Sequence, residues 1–321
     1  MNIPVFDFHC DTALRLLGES MNDTGSLSSN AGHIDLDRAQ TLAGYAQCFA
    51  CFTTPYMEKW NHLSPVVIFE RELVSIQREI DANRHRIRLA YSPEEVEKNQ
   101  KEGMMSAILT LEGTAGINYQ PEILEDLWNI GFRMSSLGWN EQNPLTGSHV
   151  TGGGLTDQGR EYVRECQRLG ILVDVSHISD EGFRNILDMT QAPVIATHSN
   201  SRQVFGASRN LTDDMFRAIC ETGGVAGYNF CAEFTGEDPT LDTACDHILH
   251  FLELDPEGKH IALGGDLDGI DHMPQGFTGV QDYPKLASRL LERGVSEGMV
   301  RDIFWNNALG VMERAVCNHK R

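Results

Sequence analysis

The chain has 321 residues, a hydrophobic content of 41%, and 46 acidic against 26 basic side chains, for a formal charge of -20. Such an excess of negative charge repels phosphates and anionic headgroups, so neither a nucleic-acid partner nor a membrane surface is expected. The apolar content suffices for a large core, there is no apolar run of the ~18 residues needed to cross a bilayer, and the length suits one α/β barrel with loop insertions.

Strand-like runs follow one another from the N-terminus. The first, residues 3–9, closes on His9 and Asp11 in VFDFHCD; the second spans 44–53; the third, 104–112, ends at Glu112. The fourth, 132–138, ends beside Trp139, the fifth, 171–177, at His177, and the sixth, 193–198, at His198. The seventh spans 224–230 and the eighth, 260–266, ends at Asp266. Most are continuous apolar stretches, as strands covered on both faces should be.

Helical patterns separate these runs. Phe69, Leu73, Ile76 and Ile80 form one apolar stripe on a helix opened by Ser64 and Pro65, and Ser92 with Glu95 has the spacing of a capping box. Further helices are expected at 157–169, 180–190, 213–222, 241–254, 283–293 and 297–316. Strands alternating with helices imply right-handed βαβ units, and eight units imply a closed (β/α)8 TIM-type barrel, read as a single domain over residues 1–321. The irregular stretches 18–43 and 139–155 are expected as lids, the second freed by Gly152, Gly153 and Gly154.

No charged start with an apolar signal region precedes the first strand, so a cytoplasmic protein is expected and its eight cysteines are read as reduced thiols. Cys48 and Cys51 form a CxxC without a second pair and are read as core thiols.

The chemistry-bearing residues gather at the C-terminal ends of the strands, the end at which a (β/α)8 barrel carries its active site. His9 and Asp11 are two apart on a strand and face one way, with Cys10 facing the other. Glu112 ends an apolar strand before Gly113, a poor place for an unpaired charge and a good one for a carboxylate shared by two cations. A lone strand-end histidine is more often a satisfied polar residue than a ligand. His177 and His198 together with the HxD pair and Glu112, all in one barrel, point instead to a metal centre of nitrogen and oxygen ligands. Asp266 in GGDLDG is either a further ligand or a proton acceptor.

The segments DFHCDT, LEG, DVSHIS, APVIATHSNSR, ASRN and GGDLDG, in that order, resemble the membrane (renal) dipeptidase family of zinc peptidases, related to the amidohydrolase barrels. The resemblance covers nearly the whole chain and implies a homodimeric barrel that binds two Zn2+ and hydrolyses small dipeptides through a hydroxide bridging the metals. By motif, His9 and Asp11 would bind one zinc, His177 and His198 the other, and Glu112 both. Asp266 would be the catalytic base and acid. Arg209 in ASRN would receive the substrate carboxylate, a task that suits a bidentate guanidinium.

The chain departs from the family after the fourth strand, where mammalian relatives have a Thr-His pair and this chain has Gly138 and Trp139. The family histidine polarises the scissile carbonyl. Here either Trp139 contributes a weaker donor to the substrate, His149 enters from the same loop, or the zinc ions suffice. Two other readings stay open: an amidohydrolase acting on another small amide such as an N-acyl amino acid, and a non-catalytic metal-binding protein, which should lack a ligand or Asp266.

Overall fold

The computed structural model describes residues 3–18, 21 and 25–319, with side chains as far as residue 315. Cys317 therefore lies outside the described side chains. The strands are β1 (Val5–Cys10), β2 (Tyr45–Phe52), β3 (Ile87–Leu89), β4 (Met105–Glu112) and β5 (Phe132–Ser136). They continue with β6 (Leu172–Asp174), β7 (Val194–Ile195), β8 (Ala226–Tyr228) and β9 (Ile261–Leu263). All pairings are parallel, in the order β7-β6-β5-β4-β2-β1-β9-β8, with β3 on β4. A bridge from Ala196 to Ala226 joins the ends of that order and closes the barrel.

Each expected strand is present within a few residues of the expected place; most are shorter at their ends, and β1 runs one residue further, to Cys10. β3 was not expected. It is three residues long and fills the outer edge of β4 below the point where β5 begins to pair.

Two apolar layers result from the alternation of side chains. Phe6, Phe8, Ala46, Cys48, Ile108 and Met134 form an inner layer with Trp305 and Val311 of the C-terminal segment. Val5, Cys10, Phe49 and Leu109 belong instead to the shell under the surrounding helices. Cys48 and Cys51 are both fully buried, as expected of core thiols.

The helix opened by Ser64 begins as expected, and further hydroxyl caps start later helices. Ser64 accepts from Val67 N at the start of Pro65–Ala82, and Thr156, Ser179 and Thr212 cap the later helices in the same way. The capping box at Ser92 is displaced by one residue: Ser92 accepts from Glu95 N, but the Glu95 carboxylate reaches Tyr91 N at 2.8 Å and not Ser92 N. The last expected helix is divided, because a π turn at Asp302–Asn306 separates Glu297–Arg301 from Asn307–His319. The wide turn carries Phe304 and Trp305, both buried; Trp305 packs edge-on against Phe6 and closes the barrel floor.

One irregularity in β1 matters for the site. Asp7 pairs with Gln47 and Cys10 with Phe49, so three residue steps on β1 oppose two on β2. The extra residue shifts the alternation that Phe6 and Phe8 establish and turns His9 into the barrel mouth. Asp7 anchors this bulge. Its carboxylate accepts from His9 N at 2.8 Å, Gly265 N at 2.9 Å, Gln47 Nε2 at 3.2 Å and the Tyr283 hydroxyl. Burial still pushes the carboxyl up to about 6, against the pull of those donors. Asp7→Ala leaves buried donors without an acceptor and should cost about 3 kcal/mol in urea unfolding. A loss of only a few tenths would mean that the surrounding structure re-pairs them.

Candidate active site

Five candidate ligands from four strand ends meet in one buried cluster. His9 Nε2 lies 3.1 Å from Glu112 Oε2, 3.5 Å from Asp11 Oδ2 and 3.8 Å from Asp266 Oδ1. On the other side His177 Nε2 lies 3.0 Å and His198 Nε2 3.7 Å from Glu112 Oε1. Glu112 thus turns one oxygen towards each half of the cluster.

The backbone is bent to achieve this. His177 (φ 68°), Asp266 (φ 58°) and Asp268 (φ 68°) adopt the left-handed conformation that side chains other than glycine avoid, each just beyond a strand. Gly113 is required behind Glu112, because at its φ of 72° a Cβ would stand 2.1 Å from Thr53 O. Gly269 likewise leaves room for carboxylates: a Cβ there would stand 2.0 Å from Asp11 Oδ2 and 2.8 Å from Asp266 Oδ1.

The hydrogen bonds behind the ligands decide which imidazole nitrogen faces inward. His177 Nδ1 donates to Asn140 Oδ1 at 2.8 Å. His198 Nδ1 donates to Thr197 Oγ1 at 2.7 Å, and that hydroxyl donates in turn to Asp174 Oδ2 at 2.5 Å. Both Nε2 lone pairs are therefore turned inward, 3.0 Å apart. Two acceptors facing each other at that distance suit a cation that both can ligate.

The electrostatics reflect the crowding of carboxylates and divide the three imidazoles. Burial, reinforced by Asp11, pushes the Glu112 carboxyl up to about 7 despite the opposing pull of His9. Burial and Asp11 also raise Asp266. For His9 burial opposes the charged form, but Glu112 and Asp11 outweigh it and raise its pKa well above the usual range. Burial, then neighbouring charge including Arg209, keeps His177 and His198 neutral, as ligands must be. Ligand atoms of His9, Glu112 and His198 lie within 4.8 Å of one another, as do those of His9, Asp11 and Asp266. The residues present fit a divalent-metal centre, and Asp266 Oδ1 is near enough to be part of it.

A cavity of about 290 Å3 opens onto this cluster. Its walls include Leu14, Phe52, Trp139, Phe234 and Ile270 alongside Asp11, Glu112, His177 and Asp266. Arg209 stands beside it, 4% exposed, with Nη1 donating to Ser199 Oγ at 2.6 Å and its guanidinium 5.8 Å from the Phe234 ring centre. Its Nε and Nη2 are buried without a hydrogen-bond partner, which leaves one edge of the fork available to an anion.

The 139–155 stretch is tied down and not free. His149 N donates to His177 O at 2.8 Å, Ser179 Oγ to Gly153 O at 2.5 Å, and Leu145 is fully buried. His149 is bonded through Nε2 to Asn140 Oδ1 and through Nδ1 to Ser208 Oγ. Burial, then Arg209, lowers its pKa to about 4.

The whole chain, residues 1–321, matches the membrane dipeptidase family (peptidase family M19). It belongs to that family. This dipeptidase-family chain is 37% identical over 214 residues to an uncharacterized dipeptidase of Schizosaccharomyces pombe, covering 64% of this chain and 52% of the relative. It spans about half the length of the two Schizosaccharomyces pombe relatives it matches. In structure it is similar to a Rhodobacter sphaeroides metallo peptidase liganded with a phosphinate mimic of the dipeptide L-Ala-D-Ala. That likeness has a TM-score of 0.88 at 28% identity and covers 98% of this chain and 100% of the other. Dipeptidase AC, a metallo peptidase of family M19, gives a TM-score of 0.86 at 27% identity over 98% of this chain and 99% of its own. Among the described residues no helix is long and apolar enough to cross a membrane.

Sequence reasoning missed the supporting residues of this dipeptidase-family site: Asn140, Thr197, Asp174, Asp7 and Asn229, which donates to Asp266 Oδ2 at 3.1 Å. Two of them left a signal, an aspartate inside an apolar strand shortly before a histidine, in DFH and DVSH. Thr197→Val removes the acceptor for His198 Nδ1–H and should weaken divalent-metal affinity roughly tenfold to a hundredfold, read by competition with a chromophoric chelator. Unchanged affinity would mean that His198 needs no orientation from Thr197.

Proposed function

We propose that the chain is a metal-dependent dipeptidase that uses two zinc ions, its catalytic barrel formed by the whole of residues 1–321. The observation that carries this reading is Glu112, with Oε2 3.1 Å from His9 Nε2 and Oε1 3.0 Å from His177 Nε2, on a cavity whose Phe234 wall is backed by an Arg209 fork that lacks a partner on one edge. His9 and Asp11 would hold one ion and His177 and His198 the other, with Glu112 available to each. Metal held there would supply Lewis acidity, lowering the pKa of water and polarising a scissile carbonyl, which is what peptide hydrolysis at neutral pH requires.

The remaining steps belong to the protein. Asp266, with Oδ1 turned to the cluster and Oδ2 held by Asn229, takes the proton of the attacking water and returns it to the leaving amine. A carboxyl whose pKa is raised by burial suits both halves of that exchange. Arg209 binds the free carboxylate of the substrate and so fixes the distance from chain end to cleaved bond, which selects dipeptides. Trp139 forms part of the wall against which the substrate lies. The likeness to a peptidase that binds an L-Ala-D-Ala mimic supports a small dipeptide with either an L- or a D-residue at its C-terminal position.

Purified protein reconstituted with zinc should hold about two ions per chain, because five ligands exceed what one tetrahedral zinc needs. A stoichiometry of one by elemental analysis would remove Glu112 from its shared role. Arg209→Met should cost about 2 kcal/mol in kcat/KM for free dipeptides, roughly thirtyfold. Dipeptide amides should be poor substrates already and lose little more. Equal losses for acids and amides would mean that Arg209 serves the fold or the metals, and an N-acyl amino acid or another small amide would then be the better candidate substrate.

A further inference from the structure

The mouth of the barrel has two chemically different sides. Arg209 and Phe234 lie beyond β7 and β8, the two strands joined by the closing bridge. In the order β7-β6-β5-β4-β2-β1-β9-β8, the position diametrically opposite that bridge lies between β4 and β2. There stand Phe52, at the end of β2, and Trp139, beyond β5, with ring centres 5.3 Å apart.

The aromatic surface continues outward. Trp139 meets Trp60 edge-on at 5.9 Å, and Trp60 meets Tyr56 at 5.7 Å. Trp60 is 51% and Tyr56 43% exposed, two of six large apolar side chains left so open among the described residues. Inward, Trp139 lies 6.1 Å from the His177 ring, so the wall runs from solvent to the cluster without a charged side chain in it.

From this arrangement we infer that the Phe52–Trp139–Trp60 wall receives the side chain of the N-terminal residue of the dipeptide, and that the enzyme prefers substrates in which this residue is large and apolar, aromatic above all. The inference rests on the dipeptidase reading. With the carboxylate at Arg209 and the scissile carbonyl over Glu112, His177 and His198, the residue that carries that carbonyl extends away from β7 and β8, towards β2 and β5. A ring placed there gains edge and face contacts and covers Trp60, whereas a charged side chain laid on these rings loses water and gains no ion pair from them.

The test compares kcat/KM for Phe-Ala, Ala-Phe and Ala-Ala in the wild type, Trp60→Ala and Trp60→Phe. Because Trp60 is half exposed, its replacement leaves the core intact, and thermal melting of each variant checks this. The wild type should favour Phe-Ala over Ala-Ala by roughly tenfold or more, and Trp60→Ala should remove most of that ratio while Trp60→Phe retains it. The Ala-Phe to Ala-Ala ratio should not follow. Equal wild-type rates for Phe-Ala and Ala-Ala would overturn the preference, and a Trp60→Ala loss confined to Ala-Phe would overturn the assignment of the wall to the N-terminal residue. Failure to cleave any of the three would overturn the dipeptidase reading itself, a result distinct from cleavage without preference.

Discussion

Three carboxylates, Asp11, Glu112 and Asp266, are gathered within 3.8 Å of a single imidazole nitrogen, that of His9, inside a buried pocket. Keeping so much like charge together in a medium of low dielectric is costly unless cations share it. Much of the surrounding structure can be read as holding this arrangement. The bulge in β1 delivers His9, the left-handed residues at the ends of β6 and β9 deliver His177 and Asp266, and glycines stand where any side chain would collide with a carboxylate or its neighbours. Behind the front rank, Asp7 and Asp174 collect backbone and hydroxyl donors, so that the ligands are held by bonds directed away from the centre.

The supports differ within one half of the cluster. His198 is oriented through a hydroxyl to a buried carboxylate, whereas His177 is oriented by the amide oxygen of Asn140, which also accepts from His149. A carboxylate relay makes an imidazole a stronger donor to metal than an amide does. His198 is therefore more firmly prepared as a ligand than His177 beside it.

Much of this was legible in the sequence for a physical reason. Strands covered on both faces read as continuous apolar runs, and a polar or charged residue that ends such a run must find something at the barrel mouth, which is why the candidate ligands could be picked out one by one. The phase of β1 could not be read, since a bulge is a relation between two strands and leaves no mark in one. β3 escaped because three residues with a single buried side chain carry almost no period. Asn140 and Thr197 escaped for another reason. They are ordinary polar residues, and their importance lies in partners 37 and 23 positions away.

The residue that departs from the family pattern, Trp139, fits the same account. Of the ways in which its missing charge could be replaced, recruitment of His149 is opposed by the structure: its two ring nitrogens are engaged by Asn140 and Ser208, and burial with Arg209 keeps it neutral down to about pH 4. A neutral, doubly bonded imidazole cannot supply positive charge to a developing oxyanion. Trp139 packs edge-on against Phe52 and Trp60, so its ring is committed to an apolar wall more than to a polar contact. On the proposed reading, Glu112, His177 and His198 would hold the metal that supplies this stabilisation. On the same reading, what the chain gives up in a charged donor it regains as surface for an apolar side chain, which would move the determinant of substrate choice from the reacting bond to the residue beside it.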